Sequence, residues 1–431
     1  MSFQPLRGFR DYPPPEAGAR SEIRRRMRSV ARRSGFVELE TPSVEALELF
    51  KTKSGDEIVS QLWSFTDKGS REVTLVAETT PSLARVFVSR AKSEPLPVKW
   101  FTFSKLWRYE EPQSGRTREF GQLNLDILGV PGVEAEVEIL STAALVMDEV
   151  GAKDLFSFHV NDRLLAEGMG RALGATDLPR FFRALDRSKK MGAPAFRVEL
   201  AESGLSSERV TWLEEFLRTS TEPGTTVGRA LEPLRELPLD DAATGAVARL
   251  TELERLGTAA GLGPLLAYDP AIVRGIAYYT TTVFEAVDRR GDLRSLFGGG
   301  RYDRLVELFG GPATPAVGLA IGDQTLELLL RENDRWPEGE PGLDTYVVAV
   351  SPDQIPLALE WVQRLRRAGV SADSDLLGRS LSRQLKEAAR RKARRALILG
   401  PKELERGRVV ERNLTTGAQR ELAPNEVLPP A

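Results

Sequence analysis

No cysteine occurs in the 431 residues, which excludes disulfides, thiolate metal sites and cysteine nucleophiles. Histidine is almost as scarce, His159 being the only one. One imidazole cannot build a multi-histidine metal centre, and a Ser-His-Asp triad would depend on it alone. It lies in the alternating run Phe156-Ser-Phe-His-Val160, which predicts a strand position rather than a catalytic one. Acid–base chemistry is then left to carboxylates, a substrate or water. No apolar run approaches the roughly 20 residues needed to cross a bilayer. Met1–Asp11 is polar and lacks the apolar core of a signal peptide, so a cytoplasmic location without a membrane partner is expected. The net charge of −2 argues against bulk capture of nucleic acid, but residues 344–431 hold more Lys and Arg than Asp and Glu. A basic module of that kind hints at a polyanionic partner.

What is present is a globular composition, 41% hydrophobic and 28% charged, long enough for two or three domains. Glu16–Ser34 spaces Ile23, Met27, Val30 and Ala31 as a helix that Gly35 ends, before a strand from Phe36 that Pro42 closes. Residues 163–262 read as a block of helices between sheet-forming regions, with strand signals resuming at Leu266. Residues 331–343 are polar and rich in Pro and Gly, the pattern of a linker. Beyond it, strands near 346–350, 370–373 and 395–399 alternate with helices near 356–367 and 381–392, which predicts a mostly parallel sheet.

Four segments carry residues suited to chemistry. In Thr74-Leu-Val-Ala-Glu-Thr-Thr-Pro81 a strand delivers Glu78 and Thr80 just before a proline-initiated helix, where Thr80 could instead cap the helix. Residues 103–129 read as strand, charged loop, strand. The second strand alternates Gln122, Asn124 and Asp126 with apolar residues and so puts them on one face. Arg108, Arg116 and Arg118 suit either ordinary surface ion pairs or the phosphate oxygens of a nucleotide. Ile272-Val-Arg-Gly-Ile-Ala-Tyr-Tyr-Thr280 sets Arg274 beside the pair Tyr278 and Tyr279, which could equally be core. Phe297-Gly-Gly-Gly-Arg-Tyr-Asp-Arg-Leu305 is a glycine-rich loop able to approach a ligand closely, and Gly322-Asp-Gln-Thr325 opens a helix.

In order and spacing these segments resemble the class II aminoacyl-tRNA synthetases, most closely the histidyl-tRNA synthetases. The resemblance runs from about Leu6 to Gln419. Arg-x-Glu-x-Pro-x-x-Gly-Arg-x-x-Glu-Phe (108–120) is similar to motif 2. Residues 272–280 resemble the signature Val-Arg-Gly-Leu-Asp-Tyr-Tyr, and 377–385 resemble the anticodon-binding domain. The resemblance implies an α+β fold. A class II catalytic domain (1–330) around a mainly antiparallel sheet of six or seven strands would be interrupted by a helical insertion (163–262). A linker (331–343) and a C-terminal α/β anticodon-binding domain (344–431) would complete it.

It also implies roles. Arg108, Glu110 and Arg116 would bind ATP. Glu78, Thr80, Gln122, Asp126, Arg274, Tyr278 and Tyr279 would bind histidine, with Arg274 and Arg108 catalytic. ATP with Mg²⁺, histidine, tRNA(His) and a second copy of the chain, in a homodimer, would be the ligands and partners. The sequence departs from the commoner family pattern at four places. Gly121 follows Phe120 where histidine is usual, and Asp126 stands for a longer glutamate. Ala277 replaces an aspartate, and Thr325 occupies the position of the motif 3 arginine, as in a divergent branch of the family. Two alternatives are a synthetase-like regulatory subunit of ATP phosphoribosyltransferase, which binds histidine without making adenylate, and a tRNA-binding protein without ATP turnover.

Overall fold

The computed structural model describes residues 3–52, 60–111, 115, 117–273, 279–291, 293, 295–339 and 342–428. The chain forms two compact units, Met1–Tyr12 with Ser21–Pro337, and Pro13–Arg20 with Glu338–Ala431.

In the larger unit the strands are β1 (Val37–Glu38), β2 (Val44–Ala46), β3 (Ser64–Thr66), β4 (Glu72–Leu75), β5 (Val98–Trp107) and β6 (Glu119–Leu128). They continue as β7 (Phe156–Asp162), β8 (Leu266–Tyr268), β9 (Thr282–Asp288), β10 (Phe297–Arg301) and β11 (Ala316–Gly322). Eight of them form one sheet in the order β1-β5-β6-β11-β10-β9-β7-β8, while β2-β4-β3 form a small sheet of their own. The interior pairs of the large sheet are all antiparallel; the two edge pairs, β1 with β5 and β7 with β8, are parallel. The count therefore exceeds the six or seven expected. The edge strands have only two and three residues, too few to show a period-two pattern.

Alternation along β6 decides which face is core. Leu123, Leu125 and Ile127 are buried with Ile23, Met27 and Val30 of the helix Glu16–Arg33 and with Ile139, Ala143 and Met147 of the helix Glu134–Glu149. Spacings of three and four place each helical set on one stripe. Gln122, Asn124 and Asp126 point to the other face of the sheet.

Between β7 and β8 the chain is helical, from Arg163–Ala172 through Asp241–Ala259. Asp162, Asp177, Ser206, Thr226 and Asp240 each cap one of these helices by accepting a main-chain N–H, which satisfies a donor the first turn leaves free. The packing is close: a Cβ at Gly168 would lie 2.3 Å from Cβ of Ala243.

The smaller unit carries β12 (Thr345–Ala349), β13 (Ala372–Ser374), β14 (Arg395–Leu399), β15 (Val409–Asn413) and β16 (Gln419–Leu422). Their order is β13-β12-β14-β15-β16. The first three are parallel, linked by the helices Ile355–Arg367 and Leu381–Arg390, but β14-β15-β16 are antiparallel. The sheet is thus mixed rather than mostly parallel. A hairpin adds the antiparallel half, turned by Asn413, whose Oδ1 accepts from Thr415 and Thr416, and by Gly417 at φ +76°.

Candidate active site

The register of the large sheet assembles a polar floor. Asp126 lies opposite Trp100 on one side and Gly318 on the other; Asn124 lies opposite Thr102 and Ala320. Gly318 in turn faces Gly300, Ala320 faces Gly298, and Gly298 faces Glu285. Directly opposed residues share a face, so Gln122, Asn124, Asp126 and Glu285 line one surface with glycines between them. The segment Phe297–Arg301 is therefore a central strand and not the loop its glycines suggested. Its glycines admit neighbours: a Cβ at Gly300 would lie 3.1 Å from the Tyr279 ring, and one at Gly299 only 2.1 Å from the Gly318 carbonyl oxygen.

Tyr302, Tyr279 and Glu78 meet Asp126 and Glu285 at this floor. The Tyr302 hydroxyl donates to Oδ1 of Asp126 at 2.5 Å. Burial raises the Tyr279 phenol well above its ordinary pKa, and the nearby negative charges of Glu78, Asp126 and Glu285 raise it further. The phenol thus sits among three carboxylates. Such a cluster favours a ligand carrying positive charge or N–H donors, whose desolvation it offsets.

The segment that brings Glu78 is clipped to the end of β5. The Trp107 N–H donates to the Val76 carbonyl (3.0 Å), Arg108 Nε donates to the Ala77 carbonyl (3.0 Å), and Thr79 Oγ1 donates to Asn124 Oδ1 (3.3 Å). Glu78 and Thr80 are buried, 4% and 6% exposed. The helix Thr80–Arg90 takes Thr79 as its N-cap, with no side-chain cap bond, so Thr80 is not spent on capping. Arg108 lies with its guanidinium 5.4 Å from the Phe120 ring centroid. Glu110 stands at the hairpin end, its carbonyl accepting from Arg118 Nε (3.0 Å), and Arg118 lies 4.3 Å over the Tyr109 ring.

The helix Asp323–Glu332 is fastened beside the hairpin: Asp323 accepts the Gly121 N–H and an N–H of Arg24, both at 3.0 Å. A Cβ at Gly115 would be 4.0 Å from Thr325 Oγ1, so the two segments are neighbours. Arg116, Arg274 and Tyr278 lie outside the described residues. Glu78, Asp126 and Tyr279 are brought together; Gln122 shares their face, and Arg108 and Thr80 flank the segment that carries Glu78. Glu285 and Tyr302 were given no role from sequence. Glu285 could have been found by extending the period-two pattern through β9, whereas nothing local marks Tyr302 as the partner of Asp126.

The family model described as histidyl-tRNA synthetase matches residues 8–326, and that of an anticodon binding domain matches 344–429. A histidine–tRNA ligase of Thermoplasma volcanium is 36% identical over 430 residues, covering 100% of this chain and 98% of the relative. One from Opitutus terrae is 40% identical over 434 residues, covering 99% and 97%. The crystal structure of histidyl-tRNA synthetase from Nostoc sp. PCC 7120 superposes with a TM-score of 0.86 at 23% identity, over 99% of this chain and 98% of that one. From end to end, with the polar floor and both matched regions in sequence order, the chain belongs to the histidyl-tRNA synthetase family.

Proposed function

We propose that the chain activates histidine with ATP and transfers the product to tRNA(His). The observation that carries this reading is the glycine floor that seats the Tyr279 ring against Gly300 and Asp126, held by Tyr302, against Gly318, with Glu285 opposite Gly298. Glu78 and Thr80 take the α-ammonium. Asp126, held by Tyr302, and Gln122 address the imidazole nitrogens, with Tyr279 and Tyr278 along the ring. Arg108, Arg116 and Glu110 hold ATP, which arrives as its Mg²⁺ complex. The histidine carboxylate attacks the α-phosphorus; an O–P bond forms, the bond to the β-phosphate oxygen breaks, and pyrophosphate leaves. Arg274 and Arg108 face the charge that grows on the α-phosphate. A terminal ribose hydroxyl of tRNA(His) then takes the histidyl group from AMP. Neither step calls for a strong protein base, and positioning supplies most of the rate.

Residues 1–330 form the catalytic domain in this reading, with 163–262 inserted, 331–343 as linker and 344–431 for the anticodon. The cleft beyond the ends of β12 and β13, lined by Asp375, Arg379 and Gln384, supports a role for the smaller unit in binding. A cytoplasmic homodimer is the form we expect.

ATP–pyrophosphate exchange with each of the twenty amino acids tests the proposal. Exchange with histidine alone is the expected result. Histidine binding without exchange would favour the regulatory-subunit reading. Ending the chain at Glu340 should spare exchange and weaken tRNA charging; unchanged charging would remove the anticodon role.

A further inference from the structure

The chain enters the signature segment through Val273 and leaves it at Tyr279, and the end of β7 grips it on both sides. On the entry side, Asn161 is 1% exposed and its Nδ2 donates to two carbonyls, Ile272 at 3.1 Å and Pro270 at 3.4 Å. Its Oδ1 accepts the Asp162 N–H at 2.8 Å, so every polar atom of the amide is used. The Asp269 N–H donates to the Val160 carbonyl, and Asp269 Oδ1 accepts the Ala271 N–H. On the exit side, two residues further on and just past the end of β7, Arg163 opens the helix Arg163–Ala172; its N–H donates to the Thr281 carbonyl (3.0 Å) and its Nη1 to the Tyr279 carbonyl (3.2 Å). Asparagine is a poor strand residue. A buried one that spends both amide hydrogens on the same short turn serves the placement of that turn.

We propose that Asn161 is a positioning residue for adenylate formation, fixing the main chain at 270–272 and hence the base from which Arg274 acts. The inference depends on the reading of Arg274 as the catalytic arginine. Asn161 touches no substrate in this account; it acts through Arg274, and misplacing a reacting group by about an ångström costs on the order of 100-fold in rate.

The test is a double-mutant cycle on the full-length chain, using Asn161→Ala, Arg274→Ala and the pair, read by single-turnover formation of histidyl-adenylate with thermal melting alongside. Asn161→Ala is expected to slow the step by roughly 10- to 100-fold, with the KM for ATP within about twofold of wild type. In the Arg274→Ala background the same change should cost less than about twofold, because the group it positions is gone. A purely structural residue would slow both backgrounds alike, and that result overturns the proposal, as does an unimpaired Asn161→Ala enzyme. Arg274→Ala at the wild-type rate would overturn the Arg274 assignment itself, and the proposal with it. Should Asn161→Ala fail to fold, Asn161→Ser, which keeps one donor, carries the same cycle.

Discussion

Asp126 and Gly318 face each other across β6 and β11 so closely that a Cβ at position 318 would sit 2.3 Å from Oδ1 of Asp126. The same Cβ would come within 3.1 Å of the Tyr302 ring, whose hydroxyl holds that oxygen. Gly318→Ala must therefore push aside a carboxylate and its partner, while the main chain of β11 can stay in place. The KM for histidine in pyrophosphate exchange should rise by about tenfold or more, with the KM for ATP little changed, since one lost charged hydrogen bond is worth about 1.5–3 kcal/mol. Equal changes in both constants would mean that Asp126 does not face histidine.

How much of this was legible in the sequence depended on whether a residue's partners were local. The β5–β6 hairpin follows from alternation, and the helices flanking the sheet from three- and four-residue spacing. The parallel edge strands β1 and β8 are too short to carry a pattern. The hairpin of β15 and β16 mixes Val409, Val410, Glu411 and Arg412, which no period orders. The glycines at 298–300 read as a loop because glycine disfavours strands. Only their close approach to Gly318, Phe284 and Tyr279, from distant parts of the chain, explains why a strand needs them. Tyr302 was unreadable for the same reason, lying 176 residues from Asp126.

Gly299 provides the contrast to Gly318. A Cβ there would lie 2.1 Å from the Gly318 carbonyl oxygen and 2.8 Å from Leu319 Cα, both main-chain atoms that cannot swing away. Gly299→Ala should destabilise the larger unit by roughly 3 kcal/mol, at the upper end for overpacked cores. Urea denaturation checks this, and a loss below about 1 kcal/mol would show that the central strands can separate to make room.

Behind the site, Arg301 and Glu136 form an ion pair with side chains 3% and 0% exposed. Arg301 Nε donates to Glu136 Oε1 at 2.7 Å, and its other nitrogens reach the carbonyls of Val130 and Gly132. Removing one partner leaves a buried charge uncompensated, so Arg301→Met should cost about 3–5 kcal/mol. Replacing both, as Arg301→Met with Glu136→Leu, should recover part of that loss. A double variant no more stable than the single one would locate the cost in the carbonyl contacts instead.

Lys189, from the helical insertion, reaches the buried Asp269 at 2.6 Å, and His159 Nδ1 lies 3.0 Å from the same oxygen. Burial acts to raise the pKa of Asp269, but the hydrogen bond with His159 and the Lys189 charge outweigh it and hold the carboxyl below its usual range. A carboxyl depressed in the folded state stabilises fully above its unfolded pKa, about 3.9 for aspartate. The contribution is lost as the pH falls through the lower folded value. Lys189→Met should therefore lower Tm at pH 7, and the gap to wild type should narrow below about pH 4 as Asp269 takes up a proton. Melting curves from pH 7 down to pH 3 measure this directly. A gap that stays constant across the range would mean that Lys189 contributes through the packing of its aliphatic stem and not through its charge on Asp269.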